Sequence, residues 1–230
     1  MKILINDKMQ YASGVPAVII TPALSDRYIA DTTFTATFDT AQTVNCIGIG
    51  YTDATEVYIS DGSDTETVEL PFDDADELVY NNGLYVLTTE FSTDEYTISH
   101  NGSYIGRVKI GEYRTLGTAP AKELGFYTTN ESRMTLSGQV IAGAGGYCGR
   151  SIDLDVRYKI DETVYNDILA AYCTQISKEY PYFLLLDDEQ HKVPATMLHF
   201  YAQTDKPISK LQSSSYQFLY SYKFEFRECF

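Results

Sequence analysis

Histidines are the residues of this chain best suited to acid–base or metal chemistry, and their spacing forms no catalytic motif. The three histidines are His100, His191 and His199, and no pair has the i, i+4 spacing of a zinc-binding helix. His100 precedes Asn101 and Gly102, a turn-forming dipeptide, so we interpret it as a turn residue. His191 follows an acidic run, and we interpret it as solvated. The spacing predicts no histidine-based catalytic site, but leaves open one assembled in space with a carboxylate.

The cysteines include no closely spaced pair of the kind that binds zinc or forms a redox motif. They are Cys46, Cys148, Cys173 and Cys229. Cys148 lies in the glycine-rich segment 145–149 beside Arg150, and one arginine is weak support for a reactive thiolate. The segment also lacks the Gly-Lys-Ser/Thr ending of a phosphate-binding loop, which excludes nucleotide binding. We expect no catalytic cysteine and no cofactor.

Acidic residues cluster at 61–64, 73–77 and 187–189, and the carboxylates of 73–77 could bind calcium. None of these clusters has the EF-hand pattern, so we interpret them as solvated loops and predict no metal site. Paired carboxylates could also hydrolyse glycosides, but only at a spacing in space that a sequence does not give. The chain has no tryptophan, a common residue of sugar-hydrolase clefts, and we predict that it is not an enzyme.

Composition narrows the choice of partners. The net charge is −15, from 32 acidic and 17 basic residues, and such a field repels phosphate backbones and anionic lipids. We therefore expect no nucleic acid partner and no membrane insertion. The 20 tyrosines and 11 phenylalanines suit half-buried strand surfaces and protein interfaces. Charge appears within the first few residues, so we expect no secretory signal and synthesis in a cytosol.

Alternation of apolar and polar residues predicts β-strands through the first half of the chain. Apolar residues occupy the even positions of 33–38 and threonines the odd ones, as in a strand with one buried face. Similar short runs follow at 44–49, 57–59, 68–70, 84–87, 96–98 and 105–110. Turn dipeptides such as Asp61-Gly62 separate them. The pattern predicts an antiparallel β-sandwich over residues 1–112.

The second half, 113–230, is predicted to be a second β-rich domain. Gly111, Gly117 and Pro120 interrupt the strand pattern at the boundary. Strands are predicted within 134–141, 152–158, 183–186 and 197–201. One amphipathic helix is predicted over about residues 161–179, because apolar residues recur every four positions and Pro181 ends the pattern.

The C-terminal segment predicts a long strand with an aromatic face. Six successive even positions are aromatic: Tyr216, Phe218, Tyr220, Tyr222, Phe224 and Phe226. At ~3.3 Å per residue such a strand exceeds 30 Å, longer than most. These residues are candidates for a subunit interface, and a central core strand is the equal alternative.

Four stretches of the first half resemble the galactose-binding-like, or discoidin-type, jelly roll. They are 27–38, 44–49, 55–59 and 104–111. The stretches 149–158 and 180–187 resemble the tail-associated and other virion structural proteins of tailed bacteriophages, in which such jelly rolls recur. The resemblance implies a jelly-roll sandwich and assembly in many copies, and it carries over no catalytic or ligand-binding residue.

Three functions follow as expectations. The first is a non-enzymatic virion structural protein of a tailed bacteriophage, made in the host cytoplasm, whose partners are other virion proteins and copies of itself. The second is a carbohydrate-binding module that recognises host-surface glycans, with aromatic residues such as Tyr80 and Tyr85 stacking on sugars. The third is a hydrolase with a spatially assembled site.

Overall fold

Two antiparallel sheets contain most of the residues that the computed structural model describes. Side chains are described for residues 2–4, 7–20, 27–70, 83–115 and 182–186. Backbone alone is described for the strands 121–128, 133–134, 140–141, 148–156, 199–204, 212–213 and 220–228. The predicted mainly-β, antiparallel sandwich architecture is confirmed. The predicted helix at 161–179 lies outside the described residues, as do Tyr216 and Phe218.

The first sheet is built from five strands of the first half. These strands are β2 (Thr33–Thr52), β3 (Glu56–Ser60), β4 (Thr65–Glu69), β5 (Gly83–His100) and β6 (Ile105–Gly111). Their order is β4-β3-β5-β2-β6, and every pairing is antiparallel. The β3–β4 hairpin turns at Asp61 and Gly62, and Gly62 has a φ of +89°, as the dipeptide predicted.

The second sheet joins the N-terminal strand to strands of the second half. Its strands are β1 (Lys2–Leu4), β7 (Tyr113–Thr115), β8 (Ala121–Thr128), β11 (Cys148–Val156), β12 (Tyr182–Leu185), β13 (His199–Thr204), β14 (Gln212–Ser213) and β15 (Tyr220–Glu228). The order is β7-β1-β12-β13-β15-β11-β8, with β14 also beside β15. A separate pair consists of β9 (Arg133–Met134) and β10 (Val140–Ile141). The chain passes from the first sheet to the second at Glu112, while the predicted boundary there stays a prediction.

Irregular pairing bends β2 and turns some residues from one face to the other. The β2–β5 register shifts between Thr37 and Gln42 and again between Val44 and Cys46. Because of the second shift, Val44 and Ile47 both pack in the main core, whereas Cys46 joins a cluster with the second sheet. The hydroxyl of buried Tyr96 donates to Gln42 O at 2.5 Å, beside the first shift.

Each face of the first sheet is covered differently. On one face, the main core includes Phe34, Ile98 and Val108, and residues of two short helices pack against it. The helices are a 3₁₀ turn, Lys8–Tyr11, and α1, Ala17–Ile20, and both contact β6. On the other face, Phe183 of β12 packs over Gly48, with Leu4, Cys46 and Leu84 in the same cluster. No helix among the described residues is long and apolar enough to cross a membrane.

A charged cluster is buried where the N-terminal segment meets β6. Arg107 and Lys109 are 0% and 1% exposed, although they alternate with apolar residues in a strand predicted to have one polar face. Asp7 Oδ2 lies 3.8 Å from Arg107 Nη2, and Asp7 Oδ1 accepts from Met9 N at the start of the 3₁₀ turn. Burial raises the pKa of Asp7, while Lys109 and Arg107 oppose that shift. This ion pair ties the N-terminal segment to the first sheet.

Candidate functional site

One end of the first sheet carries two loops that are bound to each other by side-chain hydrogen bonds. The β2–β3 loop spans 53–55 and the β5–β6 loop spans 101–104. Asp53 Oδ1 accepts from Ser103 N at 2.8 Å and from Tyr104 N at 3.1 Å. Thr52 Oγ1 donates to Tyr104 O at 2.7 Å. The backbone N–H and C=O of Tyr104 are therefore both hydrogen-bonded to β2–β3 side chains, which fixes its backbone without involving its own side chain.

A second set of bonds comes from the turn dipeptide. Asn101 Oδ1 accepts from Thr55 N at 3.0 Å and from Glu56 N at 3.1 Å. Its Nδ2 donates to Thr55 Oγ1 at 2.8 Å. Glycine is required at position 102, because a Cβ there would clash with Asp53 Oδ1 and would lie 2.6 Å from Ala54 N. The dipeptide therefore brings two loops into contact.

A third segment adds Arg27 to these loops. Tyr28 pairs with Ile105 through Tyr28 N to Ile105 O at 2.8 Å and Ile105 N to Tyr28 O at 3.1 Å. The Tyr28 ring packs edge-on against Phe34 at 6.2 Å between centroids. This backbone bridge extends the β6 side of the sheet and places Arg27 beside Tyr104.

Arg27, Tyr51 and Tyr104, which we call the Arg27 cluster, form a stacked group at this end of the sheet. The guanidinium carbon lies 4.7 Å from the Tyr51 ring centroid and 4.5 Å from that of Tyr104. The two rings are 5.7 Å apart and inclined at 48°, so the guanidinium lies against both. Arg27 Nη2 also donates to Tyr51 Oη. The two rings fix the orientation of the arginine, as cation–π pairing does.

Tyr51 reaches this position through a backbone conformation that non-glycine residues rarely adopt. Its φ is +56°, and it is the sole described non-glycine residue with positive φ. Gly106 allows β6 to lie close to Tyr51, because a Cβ at 106 would lie 3.0 Å from both Tyr51 Cβ and Tyr51 O. Strained backbone of this kind is concentrated at binding and catalytic sites.

A hydrogen-bond donor and a hydrogen-bond acceptor lie at this end of the sheet, Arg27 and the neighbouring Asp53. Arg27 is exposed, and no carboxylate of the described residues lies within ion-pair distance of it. The bond to Tyr51 raises the pKa of Arg27, which keeps its charge at every physiological pH. Nearby Asp53 uses Oδ1 for the two loop amides, and its Oδ2 accepts no hydrogen bond from the described residues. Ile29, 72% exposed, adds apolar surface close by in the chain.

The histidine expected in a turn is instead a buried residue. His100, 4% exposed, ends β5 immediately before the turn, and its backbone N donates to Thr32 O at 3.0 Å. Burial lowers its pKa, whereas the nearby Asp53 carboxylate and the Gly102 backbone oppose that shift. His199 begins β13, and His191 lies outside the described residues.

The other residues singled out by chemistry form no reactive group in the described part of the chain. Cys46 is buried and its pKa is raised, so its thiol is held in the unreactive protonated form. Asp61 Oδ1 accepts from Ser63 N and Asp64 N, which lowers the pKa of Asp61 and commits this oxygen to the turn. Among the residues described, no three potential metal ligands come together. Cys148 begins β11, and the clusters at 73–77 and 187–189 lie outside the description.

The aromatic residues proposed from sequence are placed elsewhere. Tyr85 is half-buried against the main core, and burial raises the pKa of its hydroxyl; Tyr80 lies outside the described residues. The interface candidates Tyr220, Tyr222, Phe224 and Phe226 lie on β15, an interior strand between β11 and β13 that also pairs with β14. Their role as an interface stays a prediction.

The Arg27 cluster was not foreseen from the sequence. Its members lie on three separate segments, and the pairing of β2 with β6 unites them only in the folded chain. The usable signal was the dipeptide Asn101-Gly102, which marked the loop but not its partner.

Comparison with known proteins assigns no function to the Arg27 cluster. No model of a known protein family matches the chain, and no curated protein is detectably similar to it. A solved structure described as a pectin-binding carbohydrate-binding module aligns over 44% of this chain and 87% of its own, at 20% identity and a TM-score of 0.32. A similarity this low supports no functional argument. The resemblance to bacteriophage proteins has no support from these comparisons and stays a prediction.

Proposed function

We propose that this chain is a carbohydrate-binding β-sandwich module and that the Arg27 cluster is its sugar site. The observation that carries the proposal is an exposed guanidinium fixed by two tyrosine rings at a loop end. Hydrogen bonds from Asp53, Thr52 and Asn101 fix the two loops before a ligand binds, so the entropic cost of ordering them on binding is small.

The chemistry of the Arg27 cluster matches that of a sugar ring. Each sugar hydroxyl both donates and accepts, and neighbouring hydroxyls offer paired oxygens to the planar fork of an arginine. Asp53 Oδ2 supplies the complementary acceptor. Tyrosine rings add apolar contact for the C–H faces of the ring, with a hydroxyl at the tip. Binding of this kind requires neither the nucleophile nor the general base that covalent catalysis needs.

Binding can be tested on a glycan array, followed by calorimetry with any oligosaccharide that binds. Arg27→Gln and Tyr104→Ala should each weaken binding about ten-fold or more, as truncation of central Arg and Tyr contacts does. Two matched controls are available. Lys2→Gln removes a cation that lies 5.1 Å from the Tyr113 ring, and Tyr58→Ala removes a half-buried tyrosine two strands from β2.

Both controls should bind like the native chain. An array without binding, or equal losses in the controls and the cluster variants, would refute the proposal.

The virion role is a separate proposal about where such a module acts. It is supported by the resemblance of residues 27–60 and 104–111 to virion jelly rolls and by the tyrosine-rich composition. Mass spectrometry of purified phage particles tests it, since a structural subunit must be found in them in stoichiometric amount. Absence from particles that infect normally would contradict it.

A further inference from the structure

We infer that the Arg27 cluster selects neutral sugars and that Asp53 is the residue that rejects carboxylate-bearing ones. This inference rests on the proposed function and specifies its ligand class. It concerns a side chain whose first role, binding two loops together, is already visible in the structure.

The first argument is the match of donors and acceptors. Arg27 only donates, and Asp53 Oδ2, which accepts no hydrogen bond from the described residues, can only accept. A pair of neutral hydroxyls can accept from the arginine and donate to the aspartate at the same time. A carboxylate can only accept, so it would satisfy Arg27 and leave Asp53 facing another acceptor.

The second argument is the charge around the Arg27 cluster. Asp53 lies near enough to act electrostatically on Arg27, so a negative charge is already present beside the arginine. Asp31, which accepts from the Tyr28 hydroxyl at 3.3 Å, adds a second negative charge close to Arg27 in the chain. The chain as a whole carries −15. An anionic sugar would therefore meet nearby negative charge that does not act on a neutral sugar.

The geometry also separates the two roles of Asp53. Its loop contacts use Oδ1 as an acceptor, and an asparagine amide oxygen can accept the same two bonds. Asp53→Asn therefore removes the charge and the acceptor character of the second atom while the loop contacts remain.

The test compares oligosaccharide pairs that differ only at C6, as a hydroxymethyl or a carboxylate. Calorimetry on the native chain should favour the neutral form by about ten-fold. Asp53→Asn should weaken the neutral form, strengthen the acidic form and so narrow or reverse the preference. Asp39→Asn, at an exposed position of β2, removes an equal charge elsewhere and should leave the preference unchanged.

Salt supplies a readout that needs no variant. If repulsion limits the acidic form, its affinity should rise between low salt and 0.5 M salt, while the neutral form changes little. A native preference for the acidic form, or an Asp53→Asn variant that weakens both forms equally, would overturn the inference and leave sugar binding intact. Failure of both forms to bind at any salt would instead remove the proposed function.

Discussion

Tyr51 is the residue at which local conformation and function are most closely connected. An extended backbone at Tyr51 would be less strained than the observed positive φ. The positive φ directs the Tyr51 ring toward Arg27 and Tyr104. The ring also packs beside the cluster formed by Leu4, Cys46, Leu84 and Phe183. The Tyr51 side chain thus helps to form the candidate site and also contacts the apolar cluster between the two sheets.

The strain at Tyr51 can be measured with two truncations that remove the same ring. Tyr51→Gly should be more stable than Tyr51→Ala by about 1 kcal/mol, because alanine at φ +56° keeps the strain and glycine does not. This reverses the usual order of the two residues in a strand. Urea unfolding of both variants measures the difference, and an alanine variant at least as stable as the glycine variant would contradict the interpretation.

His100 should make stability fall in mild acid. Its pKa is lowered in the folded chain by burial, so the unfolded chain takes up the proton more readily. Its contribution to stability is complete above the unfolded pKa of ~6.5 and is lost as the pH falls from there through the folded pKa.

Thermal unfolding between pH 7.5 and pH 5 checks this effect. His100→Asn should lose part of the decline that the native chain shows, because asparagine does not titrate. An identical decline in both chains would show that other groups cause it.

At the scale of elements, two loops hold the candidate site and the strands beneath them fix where the loops meet. The alternation of apolar and polar residues located most of these strands, but it predicted two separate strands in place of each of the two longest ones. The runs at 33–38 and 44–49 are one strand, β2, and the runs at 84–87 and 96–98 are one strand, β5. The register shifts explain the breaks, because the extra residues at each shift interrupt alternation without ending the strand.

Gly102 tests the contact between the loops. Gly102→Ala should displace Asp53, because its Cβ would clash with Asp53 Oδ1 and approach Ala54 N, and sugar binding should fall about ten-fold or more. Gly62→Ala is the control: it meets nothing within 4 Å and lies in a different turn, although its φ of +89° costs about 1 kcal/mol. Calorimetry should show normal binding for the control. Normal binding by Gly102→Ala would contradict a role for the contact between the two loops in sugar binding.

At the scale of the molecule, the two sheets are joined by packing that alternation does not reveal. A strand with one polar face was expected around Arg107 and Lys109, yet both faces of β6 are buried. Lys109 pairs with Gly48, whose missing side chain leaves room for the Phe183 ring. Mainly-β class could be predicted from local periodicity, whereas this contact depends on residues far apart in sequence.

Gly48 and Phe183 should behave as a coupled pair. Gly48→Ala places a Cβ within 2.6 Å of Phe183 Cγ and should cost about 1–3 kcal/mol through overpacking. In the Phe183→Leu background the same change should cost about 1 kcal/mol less, because the smaller side chain leaves space. Chemical unfolding of the four chains in this double-mutant cycle measures the coupling, and strict additivity would show that the ring does not restrict position 48.

The most direct measurement of the central claim is a titration of the ¹⁵N-labelled chain with a neutral oligosaccharide, followed by NMR. The account predicts concentration-dependent shifts at Arg27 Nε, at Tyr51 and along residues 101–104, with the strand β4 unaffected. A chain that shows no shifts, or shifts confined to β15 and its neighbours, would contradict a sugar site at the Arg27 cluster.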